Sequence, residues 1–505
     1  MDKPVKRTAA GYLQSLVAIP YGISEGIANA SNYFLDSYFA KVDQRALMAR
    51  RVEKWYPSDP DSHIKELWLN CEIHLAVSLN RSYPAFARNL NAWAFTRLFK
   101  NYGGAGCEYE IVPFLDQYEF KDMLKGRSSY RVQYEQLSID LGKTETLPVY
   151  GIFFIKNTMD DTHLVVRVDL CYDMPYCSFT VLANPSQQAA AEKFFQDLDA
   201  SIAANDIYFK KCLSFIKGSL DFAAVTPTSW ADIILKDHVK CAIRDNTVEV
   251  LKHMDALASI GMCPNRNAIL ISPPGMAKTT VFRAISGETE GQATRIWCTG
   301  KSIEYPEHVT SLFQAARTLA PCIIFIEDMD LFGGNRSGLS GYESRVLNEF
   351  LACLDGAMEN AGVVVMASTN DIASMDEALV NRPGRFDSKI EIPYPDLIDR
   401  GQMLHSFLKK LHAEPDPTVT RETIHTVLEL TEGLTGAYIK ELAKSTIIRA
   451  VAEGRLTDGT VTICSDDLNA AAQQVVSNYA IGKKAQKHHH VEAAQPELMG
   501  QVLKD

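Results

Sequence analysis

The alternation of apolar and polar positions changes character several times along the chain. Residues 1–105 place apolar side chains at helical spacing with few breakers, as in ISEGIANASNYFLDSYFAKVDQRALMARRVEKW, and predict a helical region. NYGGAG, Asn101 to Gly106, is the first strong punctuation. Beyond it the period shortens. EYEIVPF, SYRVQYEQLSI, LPVYGIFFI, THLVVRVDLCY and CSFTVLA are β-branched and aromatic runs between polar or Gly/Pro/Asp links, and predict a small antiparallel sheet. A helix, SQQAAAEKFFQDLDASIAA, follows, and AAVTPTSW, Ala223 to Trp230, reads as a linker. Strands and helices then alternate to about Pro395, which predicts an α/β core with a parallel sheet. From Asp396 to about Tyr479 the pattern is helical again. The polar tail from Ile481 carries Lys487-His488-His489-His490, read as a solvated tail rather than a metal site. The expected organisation is a helical region at 1–105, a β-rich domain with trailing helix and linker at 106–225, a large α/β domain at 226–395, a small helical domain at 396–480 and a tail at 481–505.

Composition narrows the function classes. At 505 residues the chain exceeds one ordinary core, and three or so domains are expected. A net charge of -11 argues against general nucleic-acid binding, which needs an excess of Lys and Arg. Eleven cysteines stand in no metal-like spacing and read as reduced core residues of an intracellular protein. No run of eighteen apolar residues exists, so no spanning helix is expected. AAGYLQSLVAIPYGI, Ala9 to Ile23, follows Lys6-Arg7 and precedes an Ala-x-Ala at Ala28 to Ala30, in the manner of a signal peptide. Gln14 and Ser15 interrupt its apolar stretch, which favours an amphipathic helix ending near Pro20. A cytoplasmic protein is expected.

The first candidate chemistry is LISPPGMAKTT, Leu270 to Thr280. It has the order of a phosphate-binding loop: an apolar strand, a turn, then Lys-Thr opening a helix. The turn Pro274-Gly275-Met276-Ala277-Lys278-Thr279-Thr280 is placed to cradle phosphate oxygens, with backbone N–H groups from Gly275 onward and the positive end of the helix. Lys278 reaches the β- and γ-phosphates, and the Thr279 hydroxyl meets Mg²⁺. Two glycines of the usual pattern are replaced, by Ser272 and Ala277. If position 277 needs a left-handed backbone, alanine there costs on the order of 1–2 kcal/mol. Such a cost weakens nucleotide affinity roughly tenfold without removing the amide donor.

APCIIFIEDMDLFGG, Ala320 to Gly334, is an apolar strand ending in carboxylates at the edge where ligands of parallel sheets bind. One acid of the pair Glu327-Asp328 can hold Mg²⁺ and the other can orient the attacking water. GVVVMASTND ends a further strand at Asn370, which can bond the γ-phosphate or the lytic water. NRPGRFD presents Arg382 and Arg385 around a Pro-Gly turn, suited to stabilising phosphate from a neighbouring subunit.

With these motifs in this order, the chain resembles the AAA ATPases, the family that includes the AAA proteases, katanin and the NSF-like remodellers. The resemblance spans about Trp230 to Tyr479, and ASTND…DEALVNRPGRFDSKIEIPYPD is its most specific part. It implies an α/β P-loop ATPase core, a parallel sheet flanked by helices, with a helical lid at 396–480, preceded by the β-rich domain and the N-terminal helical region. By resemblance Lys278 and Thr279 bind phosphate and Mg²⁺, Glu327 falls on the Mg²⁺-side acid, Asp328 on the catalytic base and Asn370 on the first sensor. Arg382 and Arg385 fall on arginine fingers acting in trans. SWADI resembles the adenine-side segment through Asp232 and Ile233, and LTGAYIKELAKSTIIRA the lid helix through Gly436 and Ala437. Asp355-Gly356 matches an inter-subunit signalling motif, with Ala357 where an aromatic is common. The implied cofactors are ATP and Mg²⁺. The implied partners are further copies of the chain in a ring, usually a hexamer, and a protein client.

Three departures matter. The acids read Glu-Asp instead of the usual Asp-Glu, an order shared with the mitochondrial Rieske-protein translocase branch and its bacterial relatives, which also carry a β-rich domain before the ATPase. That branch's membrane-spanning N-terminal helix is not expected here. The central-pore loop, CTGKSIEYPEHVTSLF, is short, with Tyr305-Pro306 where threading members have an aromatic, an apolar residue and glycine; Tyr305 either grips a polypeptide or packs the loop. A second loop, LFGGNRSGLSGYE, is glycine-rich, with Arg336 as a candidate for the ring axis. The expected function is an ATP-hydrolysing ring ATPase that remodels, disassembles or translocates protein clients. The alternatives are a ring ATPase acting on nucleic acid and a nucleotide-gated, non-hydrolysing scaffold.

Overall fold

The computed structural model describes residues 65–66, 68–100, 107–111, 132–170, 176–331, 341–355, 360–382 and 384–481. The stretch Ala9 to Ile23, Arg336, Gly356, Ala357 and the histidine tail lie outside the described residues. The chain divides into two compact units between Ile207 and Tyr208.

Among its described residues the first unit holds an antiparallel sheet packed with helices. Its elements are β1 (Val77–Pro84), α1 (Arg88–Arg97), β2 (Tyr109–Ile111), β3 (Gln133–Asp140), β4 (Lys143–Asn157), β5 (His163–Asp169), β6 (Tyr176–Ala183) and α2 (Gln188–Ala204). The strand order is β1-β6-β5-β4-β2, with β3 also paired to β4. Alternate residues of β4 to β6 turn Phe153, Ile155, Val166, Phe179 and Val181 into a core closed by Phe95 of α1 and Phe194 of α2. The expected helical region is corrected at 77–84. VSLNRSYP there is a strand, registered from Val77 opposite Ala183 to Pro84 opposite Tyr176. Its pattern has period two: Leu79 and Tyr83 pack on the core, whereas Ser78 and Asn80 face outward.

The second unit carries the α/β core and a small helical domain. It runs through β7 (Cys212–Ile216), β8 (Ser219–Phe222), α3 (Asp237–Asp245), β9 (Arg266–Ile271), α4 (Lys278–Glu288), β10 (Thr294–Thr299), α5 (Pro306–Thr318), β11 (Cys322–Glu327), α6 (Gly341–Leu354), β12 (Val363–Thr369) and β13 (Ser388–Glu391). The sheet order is β13-β9-β12-β11-β10-β7-β8. All pairs are parallel except β7 with β8. Every residue of β12 is buried, as a strand covered on both faces requires. β9 lies between β13 and β12 while β10 lies beyond β11, so the chain crosses the sheet and opens a crevice at the carboxyl ends of β9, β12 and β11.

This unit begins at Tyr208, not at 226 as expected. Leu213 and Phe215 are buried in it, and Cys212 pairs with Arg295 of β10. The hairpin β7–β8 therefore extends the α/β sheet instead of belonging to the β-rich domain. Five residues of strand do not declare which sheet they join. The small domain comprises α7 (Leu397–Lys410), α8 (Arg421–Leu430), α9 (Gly436–Ala452) and a helix over 465–481, packed around Leu404, Val427, Ile439, Leu442 and Leu468. It also holds a sheet that the helical expectation omitted: β14 (Ala413–Pro415), β16 (Thr460–Ile463) and β15 (Leu456–Thr457), in that order. Strands of two to four residues are too short to show a period.

Candidate active site

The loop between β9 and α4 is a cradle with its strain in one place. Ala277 caps α4 with φ 64° and ψ 19°, the left-handed region. Gly275 has φ 82°, and a Cβ there would lie 2.7 Å from the Ala437 Cβ and 2.9 Å from the Thr435 Oγ1. Glycine is required at 275 by both conformation and space. Met276 is buried in the core, so only its backbone can serve a ligand, while Pro274 and Thr279 are exposed.

Three strand ends bring the chemistry together. Ile271 at the end of β9 pairs with Thr369 at the end of β12, and Ile326 of β11 pairs with Ala367 of β12. This register puts Ser272, Asn370 and Asp328 at one edge. Lys278 Nζ donates to Ser272 O at 2.7 Å and to Asn370 Oδ1 at 2.7 Å, with Ser272 Oγ at 3.3 Å and Pro273 O at 3.4 Å. Asn370 Nδ2 in turn donates to Asp328 Oδ1 at 3.3 Å. Lysine, asparagine and aspartate thus form one chain of contacts. Burial lowers the Lys278 pKa, and the negative charges of Asp328, Asp330 and Glu327 oppose that shift.

Glu327 differs from its neighbour. Its Oε1 is buried without a hydrogen-bond partner. Burial raises its pKa and Asp328 adds to the rise, whereas a hydrogen bond from Thr279 and the positive charges of Arg283 and Lys278 act against it. An orphaned carboxylate oxygen beside the Thr279 hydroxyl is a donor set that fits a hard divalent cation such as Mg²⁺. Asp328 has φ 51°, a left-handed turn that ends the strand.

The two arginines have separate fates. Arg382 is exposed on its turn. Arg385 is 5% exposed, which decides its role: Nε and NH2 hold Asp355 at 2.6 and 2.5 Å, and NH1 donates to Ala378 O at 2.5 Å. Arg385 thus has its fork engaged within its own chain, and Arg382 is the exposed member of the pair. The Asp355 carboxyl is correspondingly held below its ordinary pKa by Arg385.

The adenine-side candidates also separate. Ile233 is buried and packs in one cluster with Met276 and Val281. Asp232 is at the surface, where it pairs with Lys410 at the end of α7 at 2.8 Å. Gly436 and Ala437 open α9 directly over the phosphate loop, and Ala437 N–H donates to Gly275 O at 3.1 Å. Tyr305 is exposed and lies edge-on to His308 with ring centroids 5.2 Å apart.

Sequence reasoning treated Ser272 only as a lost glycine and missed its contact with Lys278. It also missed Asp330, which accepts from Thr369 Oγ1 at 3.3 Å and acts on Lys278. The run EDMD held the signal, since a third acid two residues on can return to the same edge after a turn.

Residues 268–394 match the model of the ATPase family associated with various cellular activities (AAA). This segment is an AAA ATPase domain, of a family that uses ATP with Mg²⁺. The chain is similar to the ATP-dependent zinc metalloprotease FtsH of Mycoplasma genitalium, 34% identical over 243 residues, or 46% of this chain and 33% of the relative. It is similar to YME1L of Drosophila melanogaster, of the same description, at 31% over 249 residues, or 48% and 32%. FtsH 3 of Sorangium cellulosum is 33% identical over 255 residues, or 48% and 40%. The chain thus spans between about a third and two fifths of the length of these relatives. Among the described residues no group of three or more His, Cys, Asp or Glu stands together to hold a metal, and no helix is long and apolar enough to cross a membrane.

Proposed function

We propose that this chain is a Mg²⁺-dependent ATPase that works as a hexameric ring and remodels, disassembles or translocates protein clients. The observation that carries the reading is the contact chain Lys278–Asn370–Asp328 at the carboxyl ends of three adjacent strands. Lys278 and the loop amides from Gly275 to Thr280 hold the phosphates of ATP. Thr279 and Glu327 hold Mg²⁺, which supplies charge neutralisation of the phosphate oxygens. Asp328 accepts the proton of the attacking water, and Asn370, bonded to it, orders water and γ-phosphate in line. Arg382, exposed on its turn, reaches a neighbour's site, and Arg385 with Asp355 fixes the turn that carries it. Ile233, Gly436 and Ala437 border the base and ribose, with Asp232 tying that segment to the small domain through Lys410.

Names of the relatives as ATP-dependent proteases support a protein client. Within the family we favour the branch with Glu-Asp acids and a β-rich domain before the ATPase, on the order Glu327-Asp328 and the antiparallel unit at 77–204. The test is phosphate release from ATP and Mg²⁺ across protein concentration, beside Lys278→Ala. Release that rises steeply with concentration and is lost in the variant supports the reading. A wild-type protein that binds ATP and releases no phosphate refutes hydrolysis and leaves a nucleotide-gated scaffold.

A further inference from the structure

The residue that breaks the phosphate-loop pattern at its entry makes a contact that glycine cannot. Ser272 is 2% exposed at the end of β9, held there by its N–H donating to Thr369 O at 3.3 Å. Its hydroxyl donates to Pro273 O at 3.3 Å, which leaves the lone pairs of Oγ facing Lys278 Nζ, also at 3.3 Å. An ammonium has three N–H donors and no acceptor. Ser272 O and Asn370 Oδ1 take two of them at 2.7 Å. The third is shared between Ser272 Oγ and Pro273 O.

We propose that Ser272 is a positioning residue for Lys278: its hydroxyl replaces the conformational freedom of a loop-entry glycine with a side-chain ligand that stays bonded to the ammonium while the N–H now given to Asn370 Oδ1 turns to a phosphate oxygen of ATP. Ser272 touches no reacting atom and acts through Lys278 alone. Two of the three ammonium protons are then directed by one residue, through its peptide oxygen and its hydroxyl, and only the Asn370 contact comes from another strand. Half-burial of Lys278 sharpens the requirement, since a buried ammonium short of acceptors loses free energy with each donor left unmet. The proposal rests on Lys278 being a phosphate ligand, as in the reading above.

The test is a double-mutant cycle on ATP affinity, measured by titration with a slowly hydrolysed ATP analogue and Mg²⁺ on the full chain, with melting curves to confirm folding. Ser272→Ala and Ser272→Gly are each combined with Lys278→Ala. Affinity is expected to fall about three- to tenfold in either single Ser272 variant, the worth of one hydrogen bond. On the Lys278→Ala background the same changes are expected to do nothing. Glycine is the informative variant, because a purely structural role predicts that the pattern's own residue is tolerated. Equal losses on both backgrounds, or no loss in either single variant, overturn the positioning role while leaving Lys278 as a ligand. A Lys278→Ala variant that binds as tightly as wild type overturns the phosphate-site reading itself, and this proposal with it.

Discussion

Replacing Ala277 by glycine should stabilise the second unit. Ala277 sits at φ 64° and ψ 19° immediately before α4. An L-residue in this region costs roughly 1–2 kcal/mol relative to its preferred basins, because Cβ crowds the following carbonyl oxygen. Glycine removes that term but enlarges the entropy of the unfolded chain, an opposing effect of about 0.4–1 kcal/mol. The methyl lost is only half-buried, so the packing loss is small. The net expectation for Ala277→Gly is a gain of about 0.5–1 kcal/mol, or about 1–2 °C in melting temperature for a unit of about 300 residues. Urea or thermal denaturation, followed by a probe that reports on the second unit, measures it. Ala277→Val in the same assay should lose stability, because a β-branched side chain is still less tolerant of positive φ. An unchanged or lowered midpoint for the glycine variant would refute the reasoning, and would mean that position 277 carries no left-handed strain.

Other perturbations probe separate links of the same structure. Gly275→Ala places a Cβ 2.7 Å from the Ala437 Cβ at a positive φ, so the contact between phosphate loop and α9 must open; ATP affinity should fall at least tenfold by titration, and retention of wild-type affinity would sink the close-approach argument. Asp355→Ala strands the buried Arg385 guanidinium, and because Asp355 is itself 44% exposed the loss should be about 2–3 kcal/mol rather than the full value for a buried pair, read from chemical denaturation beside Arg385→Met. In the first unit, burial pushes His163 down to about 4 from 6.5, where its ring lies 4.4 Å from that of Trp68. The unfolded chain binds this proton below about 6.5 and the folded chain only below about 4, so the stability contribution is intact above 6.5 and is lost as pH falls between them, by up to about 3 kcal/mol. His163→Gln should flatten that part of the pH–stability curve, and an unchanged slope would exclude His163 as its source.

Much of the site was legible in the linear order of residues, because its chemistry sits where strands end. A run such as CIIFIE followed by Asp328, or VVVMAST followed by Asn370, announces both the strand and the polar group at its carboxyl end. Local pattern suffices there: a parallel strand buried on both faces is a continuous apolar run, and its ligand groups follow directly. The left-handed backbone at 277 was foreseeable from the glycine that the phosphate-loop pattern usually places there.

What depended on contacts distant in sequence was not legible. Arg382 and Arg385 are three residues apart on one turn, yet one is exposed and the other is buried against Asp355, thirty residues away along the chain. Identity and spacing make them equivalent; burial separates them, and burial is a property of the packed turn. The same holds for β7, which pairs with β10 some eighty residues on, and for β1, which pairs with β6 about a hundred residues on. A period of two states that a segment is a strand and is silent on its partner. Ser272 shows the limit most directly. Along the chain it is a missing glycine, and only the return of α4's first side chain over the end of β9 makes it a ligand for Lys278.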